Sequence, residues 1–203
     1  MEDNRPVLFT IGHSTHALEE FIRLLKQSGV TAVADVRSHP YSRRMPQFSR
    51  ERLAASLEGA GIGYMFLGKE LGARRDEAEC YEDGRASYER IARLPRFQAG
   101  LDRLRQGSRE SRIALLCAER EPLDCHRTIL IGRHLRDEFQ IRHILADGGA
   151  EEHEQTEQRL LRQTGVTRTL FDPDLTNEDL IQRAYAKRGR QIAYRTDDAW
   201  APQ

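Results

Sequence analysis

The chain has 203 residues, of which 38% are hydrophobic and 32% are charged, and its 32 basic residues balance its 32 acidic residues. This composition excludes a wholly disordered chain, and no apolar run approaches the ~18–20 residues that a membrane-spanning helix needs. The polar, acidic segment 1–6 does not resemble a secretory signal, so we expect a cytoplasmic protein without a membrane anchor.

Short apolar runs alternate with amphipathic stretches through the first 165 residues. The runs predict buried strands at 7–11, 30–36, 62–67, 113–117 and 141–146. Helical spacing of apolar residues predicts helices over 17–28, from residue 49, on both sides of Pro95, over 124–139 and over 151–163. Strands joined by helices predict an α/β fold of Rossmann-like or flavodoxin-like type, with three layers, a mainly parallel sheet of about five strands and helices on both faces.

The alternating pattern ends near residue 165. We therefore predict one α/β domain over 1–165 and a C-terminal extension over 166–203. Residues 177–187 have the spacing of one more helix, so the extension is expected to be partly helical.

Polar residues follow the predicted strands at the point where each strand ends. In an open parallel sheet these carboxyl ends share one edge, and ligands bind there. The expected catalytic residues are His13, Asp35, Glu119 and Cys125, and the expected anion-binding residues are Ser14, Arg37, Arg43, His126 and Arg127.

Cys125 lies at the predicted start of a helix, beside His126 and close to Arg127. Unpaired N–H groups and the positive end of the helix dipole at such a position can lower the pKa of a thiol. The residue is then a reactive thiolate, or part of a cradle for an anion. The alternative is a small, half-buried cysteine without chemistry.

Cys117 ends an apolar strand, which is typical of a core residue. If it lies near Cys125, it could also be a resolving thiol or a metal ligand. The two cysteines with His126 and Glu119 supply enough ligands for zinc or iron. Their spacing matches no compact zinc motif, so the sequence predicts no cofactor, and a metal is the less favoured interpretation.

The segment 37–52 contains five arginines and one acidic residue, Glu51, with Tyr41 and Phe48 interleaved. Such a loop could contact phosphates and stack bases. The alternative is a solvated loop followed by a charged helix face.

Three groups of residues resemble a widespread bacterial family catalogued as domain of unknown function 488. The three groups are Thr10 to Thr15, then Asp35 to Phe48 through Ser42-Arg43 and Pro46, and finally Cys117-Ala118-Glu119 followed by Pro122 and Cys125-His126-Arg127. His143-Ile144 in the last predicted strand adds to the resemblance. The resemblance covers about residues 7–160. It implies a cytosolic, single-domain α/β fold and supplies no reaction.

These observations leave three functional hypotheses. The favoured one is an enzyme or binding protein for a small phosphate-bearing or otherwise anionic substrate, such as a nucleotide or a nucleic-acid component. The second is a non-catalytic nucleic-acid-binding module that uses the arginine-rich loop 37–52. The third is a thiol-redox or metal-binding protein that uses Cys117 and Cys125.

Overall fold

The computed structural model describes residues 4–170 and 172–196. Its strands are β1 Val7–Gly12, β2 Ala32–Asp35, β3 Gly63–Phe66, β4 Tyr81–Glu82, β5 Arg85–Ala86, β6 Ile113–Cys117, β7 Gln140–Ile144 and β8 Ala150–Glu152. Its α-helices are α1 Leu18–Gln27, α2 Arg50–Gly59, α3 Gly68–Leu71, α4 Tyr88–Arg93, α5 Pro95–Gly107, α6 Arg133–Leu135, α7 His153–Thr164 and α8 Asn177–Ile192. Short 3₁₀ helices occupy Pro46–Phe48, Ala78–Cys80 and Pro122–Asp124, and a π-helix spans Arg127–Gly132.

Six strands form one sheet in the order β3-β2-β6-β1-β7-β8, and β4 and β5 form a separate hairpin. Every pairing in the large sheet is parallel except that of β7 with β8. The central strand β6 is the apolar run Ile113–Cys117, and all five of its residues are buried, as expected for a strand covered on both faces. The predicted three-layer, mainly parallel α/β fold is confirmed.

Helices cover both faces of the sheet. Phe21 of α1 and Leu53 of α2 share one buried cluster with Phe9 and Leu116. Leu101 of α5 belongs to a second cluster, together with apolar residues of α7, α8 and the π-helix. The chain therefore leaves β1 towards one face and its neighbour β6 towards the other, which makes the carboxyl ends of β1 and β6 a topological switch point.

Two predicted helices differ from the structure. Residues 150–152 form the antiparallel edge strand β8, where Glu152 is paired with Arg142 of β7, and α7 begins only at His153. The helix predicted over 124–139 is broken into a 3₁₀ turn, the π-helix Arg127–Gly132 and the short α6. A π-helix is rare and often marks a functional site.

The predicted extension contains the helix α8, which begins with a capping box between Thr176 and Asp179 and runs to Ile192. Residues 171 and 197–203 of the extension lie outside the described residues. Within the described ranges, no helix combines the length and apolar character that crossing a membrane requires.

A buried chain of hydrogen bonds joins α8 to β1. The Thr10 hydroxyl lies 2.8 Å from Nδ1 of His143, whose Nε2 lies 3.0 Å from Nδ1 of His153. The other nitrogen of His153 lies 2.8 Å from the Tyr185 hydroxyl, which also donates to Glu157 at 2.9 Å. Because all five side chains are buried, this chain fixes α7 and α8 against the sheet.

The buried histidines make stability depend on pH. Burial and the charge of Arg136 lower the pKa of His153 to about 3, and burial, with His153 and Arg127 nearby, lowers the pKa of His143 well below its ordinary value. Unfolded histidines titrate near 6.5, so below that pH the unfolded chain binds protons that the folded chain does not. We expect the free energy of unfolding to fall by about 2 kcal/mol for each histidine between pH 7 and pH 5.

Urea unfolding at several pH values measures this effect, and His153→Gln is the matched variant. It should lower the pH slope of the unfolding free energy by about one proton per molecule between pH 5 and 6.5. An unchanged slope in His153→Gln would contradict the assignment.

Candidate functional site

A pocket of about 510 Å³ opens at the carboxyl edge of the sheet, where β1, β2 and β6 end. Its lining includes His13, Arg37, Cys117, Glu119 and His126. Residues 191–195, which are the end of α8 and the chain that follows it, form one side of the pocket. The strand-end rule therefore brought several of the candidate residues to one pocket.

The turn after β1 holds His13 in place. The backbone N–H groups of His13 and Ser14 donate to the carbonyls of Cys117 and Ala118, at 2.9 and 3.0 Å. The His13 ring stacks on Phe48 with 4.5 Å between ring centroids, and its Nδ1 lies 3.0 Å from the carbonyl oxygen of Ser14. Burial and the charge of Arg37 lower the pKa of His13 to about 4, so the ring is neutral at pH 7. Nε2 is then the nitrogen that can accept a proton.

Ser14 contributes through its backbone. It has a φ angle of 45°, which is uncommon for a residue with a side chain. This conformation turns the chain sharply between β1 and α1. Ser14 is not part of the pocket lining, so it supports His13 at the turn.

Asp35 and Arg37 form a buried ion pair at the end of β2. Nε of Arg37 donates to Oδ1 of Asp35 at 2.9 Å, and Nη2 donates to Oδ2 at 2.6 Å. The Tyr64 hydroxyl donates to the same Oδ2 at 2.7 Å. Asp35 is fully buried and Arg37 is 5% exposed. Because the pair uses Nε and Nη2, Nη1 is the Arg37 nitrogen left for a ligand in the pocket.

Cys117, Glu119, Cys125 and His126 form one cluster, in which one ligand atom from each residue lies within 4.8 Å of the others. Oε2 of Glu119 accepts from both thiols, at 2.7 Å from Cys117 and 3.1 Å from Cys125. Nδ1 of His126 lies 3.5 Å from the Cys117 sulfur and 3.9 Å from the Cys125 sulfur. Nε2 of His126 lies 3.0 Å from the carbonyl oxygen of Val36, so Nε2 carries the proton and Nδ1 faces the sulfurs.

The cluster groups shift one another's ionisation. Burial would raise the pKa of Glu119, but the charge of His126 and the two thiol hydrogen bonds lower it to about 2. Burial would lower the pKa of His126, but its contacts with Cys125 and Glu119 raise it. Burial, Cys117 and Glu119 raise the pKa of Cys125 well above its ordinary value.

The raised pKa of Cys125 contradicts the sequence prediction of a lowered thiol pKa at this position. The dipole of a helix start was expected to favour a thiolate, yet Cys125 precedes the π-helix, is 1% exposed and faces a carboxylate. Desolvation, the contact with Cys117 and the Glu119 charge outweigh the opposing effect of the nearby Arg127 on the Cys125 pKa. Without a bound cation the residue is a protonated thiol.

Arg127 lies under the site, fully buried, and does not line the pocket. It donates to the carbonyl oxygens of Glu119 and Arg120 at 2.6 and 3.2 Å, and to the Thr10 hydroxyl at 3.3 Å. Its backbone N–H lies 3.4 Å from the Cys125 sulfur. Arg127 therefore holds the loop after β6 and is not placed to contact an anion in the pocket.

The arginine-rich loop 37–52 reaches the pocket only with its first residues. Arg43 and Arg44 are exposed and do not line the pocket. Tyr41, which is 63% exposed, stands at the pocket and donates to Glu51. Of the loop, only residues 37–39, 41 and 42 contribute to the lining.

Sequence reasoning missed two tyrosines. Tyr64 orients Asp35 from the neighbouring strand β3, and Tyr88 lies at the pocket with only 6% of its surface exposed. Finding Tyr64 requires knowing that β3 pairs with β2. Finding Tyr88 requires knowing that α4 packs against α8. No local sequence signal carries either fact.

The fold and the cluster define a class: an α/β protein with a Cys-Glu-Cys-His cluster at the carboxyl edge of a parallel sheet. The family model described as "Domain of unknown function DUF488" matches residues 17–133. The match covers more than half of the chain, so the chain belongs to this family. It includes Asp35, Arg37 and the whole cluster, and it lies between His13 and His143. No curated protein and no solved structure matches the chain.

The ion pair of Asp35 with Arg37 supplies a stability prediction. Asp35→Asn leaves a buried guanidinium without its countercharge, so we expect the free energy of unfolding to fall by about 3–5 kcal/mol. The double variant Asp35→Asn with Arg37→Met removes the unpaired charge and should recover part of that loss. Equal destabilisation in the single and double variants, measured by urea unfolding, would contradict this view of the pair.

Proposed function

We propose that this protein is a metal-dependent enzyme that acts on a small anionic substrate held in the pocket at the carboxyl edge of the sheet. The observation that supports it most is the convergence of two cysteines, one histidine and one carboxylate within 4.8 Å. Three of these residues are buried and Glu119 is exposed, so a metal held there would face the pocket.

The distances between the sulfurs and the His126 nitrogen fit a tetrahedral zinc site. Bond lengths of about 2.3 Å to sulfur and about 2.0–2.1 Å to imidazole nitrogen give an S–N separation of about 3.6 Å at the tetrahedral angle. The two S–N distances in the cluster are 3.5 and 3.9 Å. The backbone carbonyl of Val36 holds the other nitrogen of His126, which is how proteins commonly fix a ligating histidine.

Glu119 lies closer to the sulfurs than a metal ligand would. Its oxygen is 2.7 and 3.1 Å from them, which suits a hydrogen bond from each protonated thiol. Metal binding removes both thiol protons, so the carboxylate must then either shift outwards as a fourth ligand or leave that position open to the pocket. Two thiolates and an imidazole favour zinc, with iron as the alternative.

The pocket residues support an anionic substrate. Nη1 of Arg37 can bind a phosphate or carboxylate oxygen, while Asp35 and Tyr64 hold the guanidinium in place. The neutral His13 offers Nε2 as a proton acceptor on the same pocket. A zinc ion with an open position would act as a Lewis acid on a phosphoryl or carbonyl oxygen. The exposed ring of Tyr41 at the pocket suits stacking by a base, so a nucleotide or nucleic-acid component fits this chemistry.

Metal content is the first test of this proposal. The protein purified without chelator should contain about one zinc or iron per chain, measured by inductively coupled plasma mass spectrometry. Cys117→Ser and Cys125→Ser should each lose most of that metal, since each removes one thiolate ligand.

Cys80→Ser is the matched control. Cys80 is also buried, but it lies outside the cluster, so its variant should keep the full metal content. A wild-type protein that binds neither zinc nor iron, as purified or after reconstitution, would overturn the metal assignment.

Anion binding is the second test. Arg37→Lys keeps the charge beside Asp35 but removes the planar fork and Nη1. We expect the affinity for inorganic phosphate to fall about tenfold, measured by isothermal titration calorimetry on the metal-loaded protein. Arg43→Lys, outside the pocket, should leave the affinity unchanged. Equal phosphate affinity in wild type and Arg37→Lys would remove Arg37 from the site.

A thiol-redox protein is the second candidate, favoured by the contact of both thiols with one carboxylate oxygen. Two cysteines held this close could form a disulfide when a peroxide or another disulfide accepts the two electrons. The metal measurement separates the two candidates. A metal-free protein that forms a Cys117–Cys125 disulfide on mild oxidation supports the redox function.

A further inference from the structure

Tyr88 begins α4 and lies between two structural units. It lines the pocket that contains the cluster, and it also lines a second pocket bounded by the β4–β5 hairpin and α8. Its ring packs against Gly189 of α8, where an added Cβ would lie 3.2 Å from Cδ2 of Tyr88. Only 6% of the residue is exposed, so packing fixes the ring.

The Tyr88 hydroxyl has no hydrogen-bond partner among the residues that the structure describes. The other buried tyrosine, Tyr185, donates to Glu157 and lies 2.8 Å from His153. The partly buried Tyr64 and Tyr81 donate to Asp35 and to the carbonyl of Arg75. The Tyr88 hydroxyl lacks such a partner in the described part of the chain and is not one of the fully buried polar atoms, so it reaches open space at the pocket, where a ligand oxygen can accept its hydrogen bond.

The hydroxyl also lies in the electrostatic field of the cluster. Burial is the largest effect on the Tyr88 phenol, and Cys125, Cys117 and Glu119 act on it in the same direction, so its pKa is raised above the ordinary value. The phenol therefore keeps its proton at physiological pH and can act as a hydrogen-bond donor.

We propose that the Tyr88 hydroxyl donates a hydrogen bond to an oxygen of the anionic substrate at the Cys117–Glu119–Cys125–His126 cluster. Tyr88 is then a further substrate-contacting residue, which acts from the helical face of the pocket while Arg37 acts from the sheet edge. This inference rests on the proposed function, because it requires an anion in that pocket. It adds a neutral donor to the lining of the same pocket.

The test compares Tyr88→Phe with wild type in the metal-loaded, full-length protein, with inorganic phosphate as the probe. The ring and its packing are kept, so only the hydrogen bond is lost. We expect phosphate affinity, measured by calorimetry, to fall about tenfold, as for one hydrogen bond to a charged group. The melting temperature without phosphate should stay the same or rise, because the hydroxyl has no partner to lose.

Tyr185→Phe is the matched control, since it removes the hydroxyl of the other buried tyrosine. Its hydroxyl is partnered inside the core, so this variant should lower the melting temperature and change phosphate affinity less than twofold. A ligand contact lowers phosphate affinity without lowering the melting temperature, as expected for Tyr88→Phe. A structural role lowers the melting temperature without a comparable loss of affinity, as expected for Tyr185→Phe.

The outcomes also separate this inference from the proposed function. If phosphate affinity depends on Arg37 but is equal in Tyr88→Phe and wild type, the Tyr88 contact is overturned and the proposed function stands. If wild type binds no phosphate, both are overturned. If Tyr88→Phe lowers the melting temperature as much as Tyr185→Phe does, the hydroxyl has a structural partner and the inference fails.

Discussion

The site depends on one buried cation, the guanidinium of Arg127. It is held by two backbone carbonyls of the loop after β6 and by the Thr10 hydroxyl of β1. That loop also packs closely against the end of β1, since a Cβ on Gly12 would lie 1.8 Å from the carbonyl oxygen of Glu119. A buried charge is tolerated only when its donors are satisfied, so Arg127 fixes the backbone that carries Glu119. Arg127 also lies two positions after Cys125 in the chain. It therefore connects the segment that carries Cys125 and His126 to the loop that carries Glu119.

This constraint extends beyond the segment that the family match covers. Thr10, which bonds Arg127, is also joined through His143 and His153 to Tyr185 of α8. The chain after α8 then returns to the pocket and forms part of its wall. The C-terminal helix is therefore tied to the cluster in two ways, through a buried polar chain and through the pocket lining. Loss of α8 would affect the geometry of the site as well as the stability of the core.

The residues at the strand ends were predictable from sequence, because apolar runs locate the strands and parallel strands share a carboxyl edge. That rule was enough to bring His13, Asp35, Glu119 and Cys125 to one edge of the sheet, where His13 and Glu119 line the pocket and Asp35 and Cys125 are buried behind its lining. It could not show that Arg127 points under the site and Arg37 towards it, because the direction of a side chain depends on tertiary packing. The antiparallel β8 was also missed, since Glu151 and Glu152 suit the first turn of a helix as well as an edge strand. Tyr88 reaches the site only through helix packing, which leaves no local pattern.

The ionisation of the cluster gives the clearest physical argument for a cation. A nucleophilic cysteine needs surroundings that stabilise its thiolate, yet Cys125 is buried beside the Glu119 carboxylate, and its pKa is raised. The carboxylate is held ionised by the His126 charge and by hydrogen bonds from the same thiols. A divalent cation would reverse the balance, because it stabilises two thiolates and a carboxylate together and would replace the proton on Nδ1 of His126, the nitrogen that faces the sulfurs. The arrangement that opposes a free thiolate is thus the one that favours a metal.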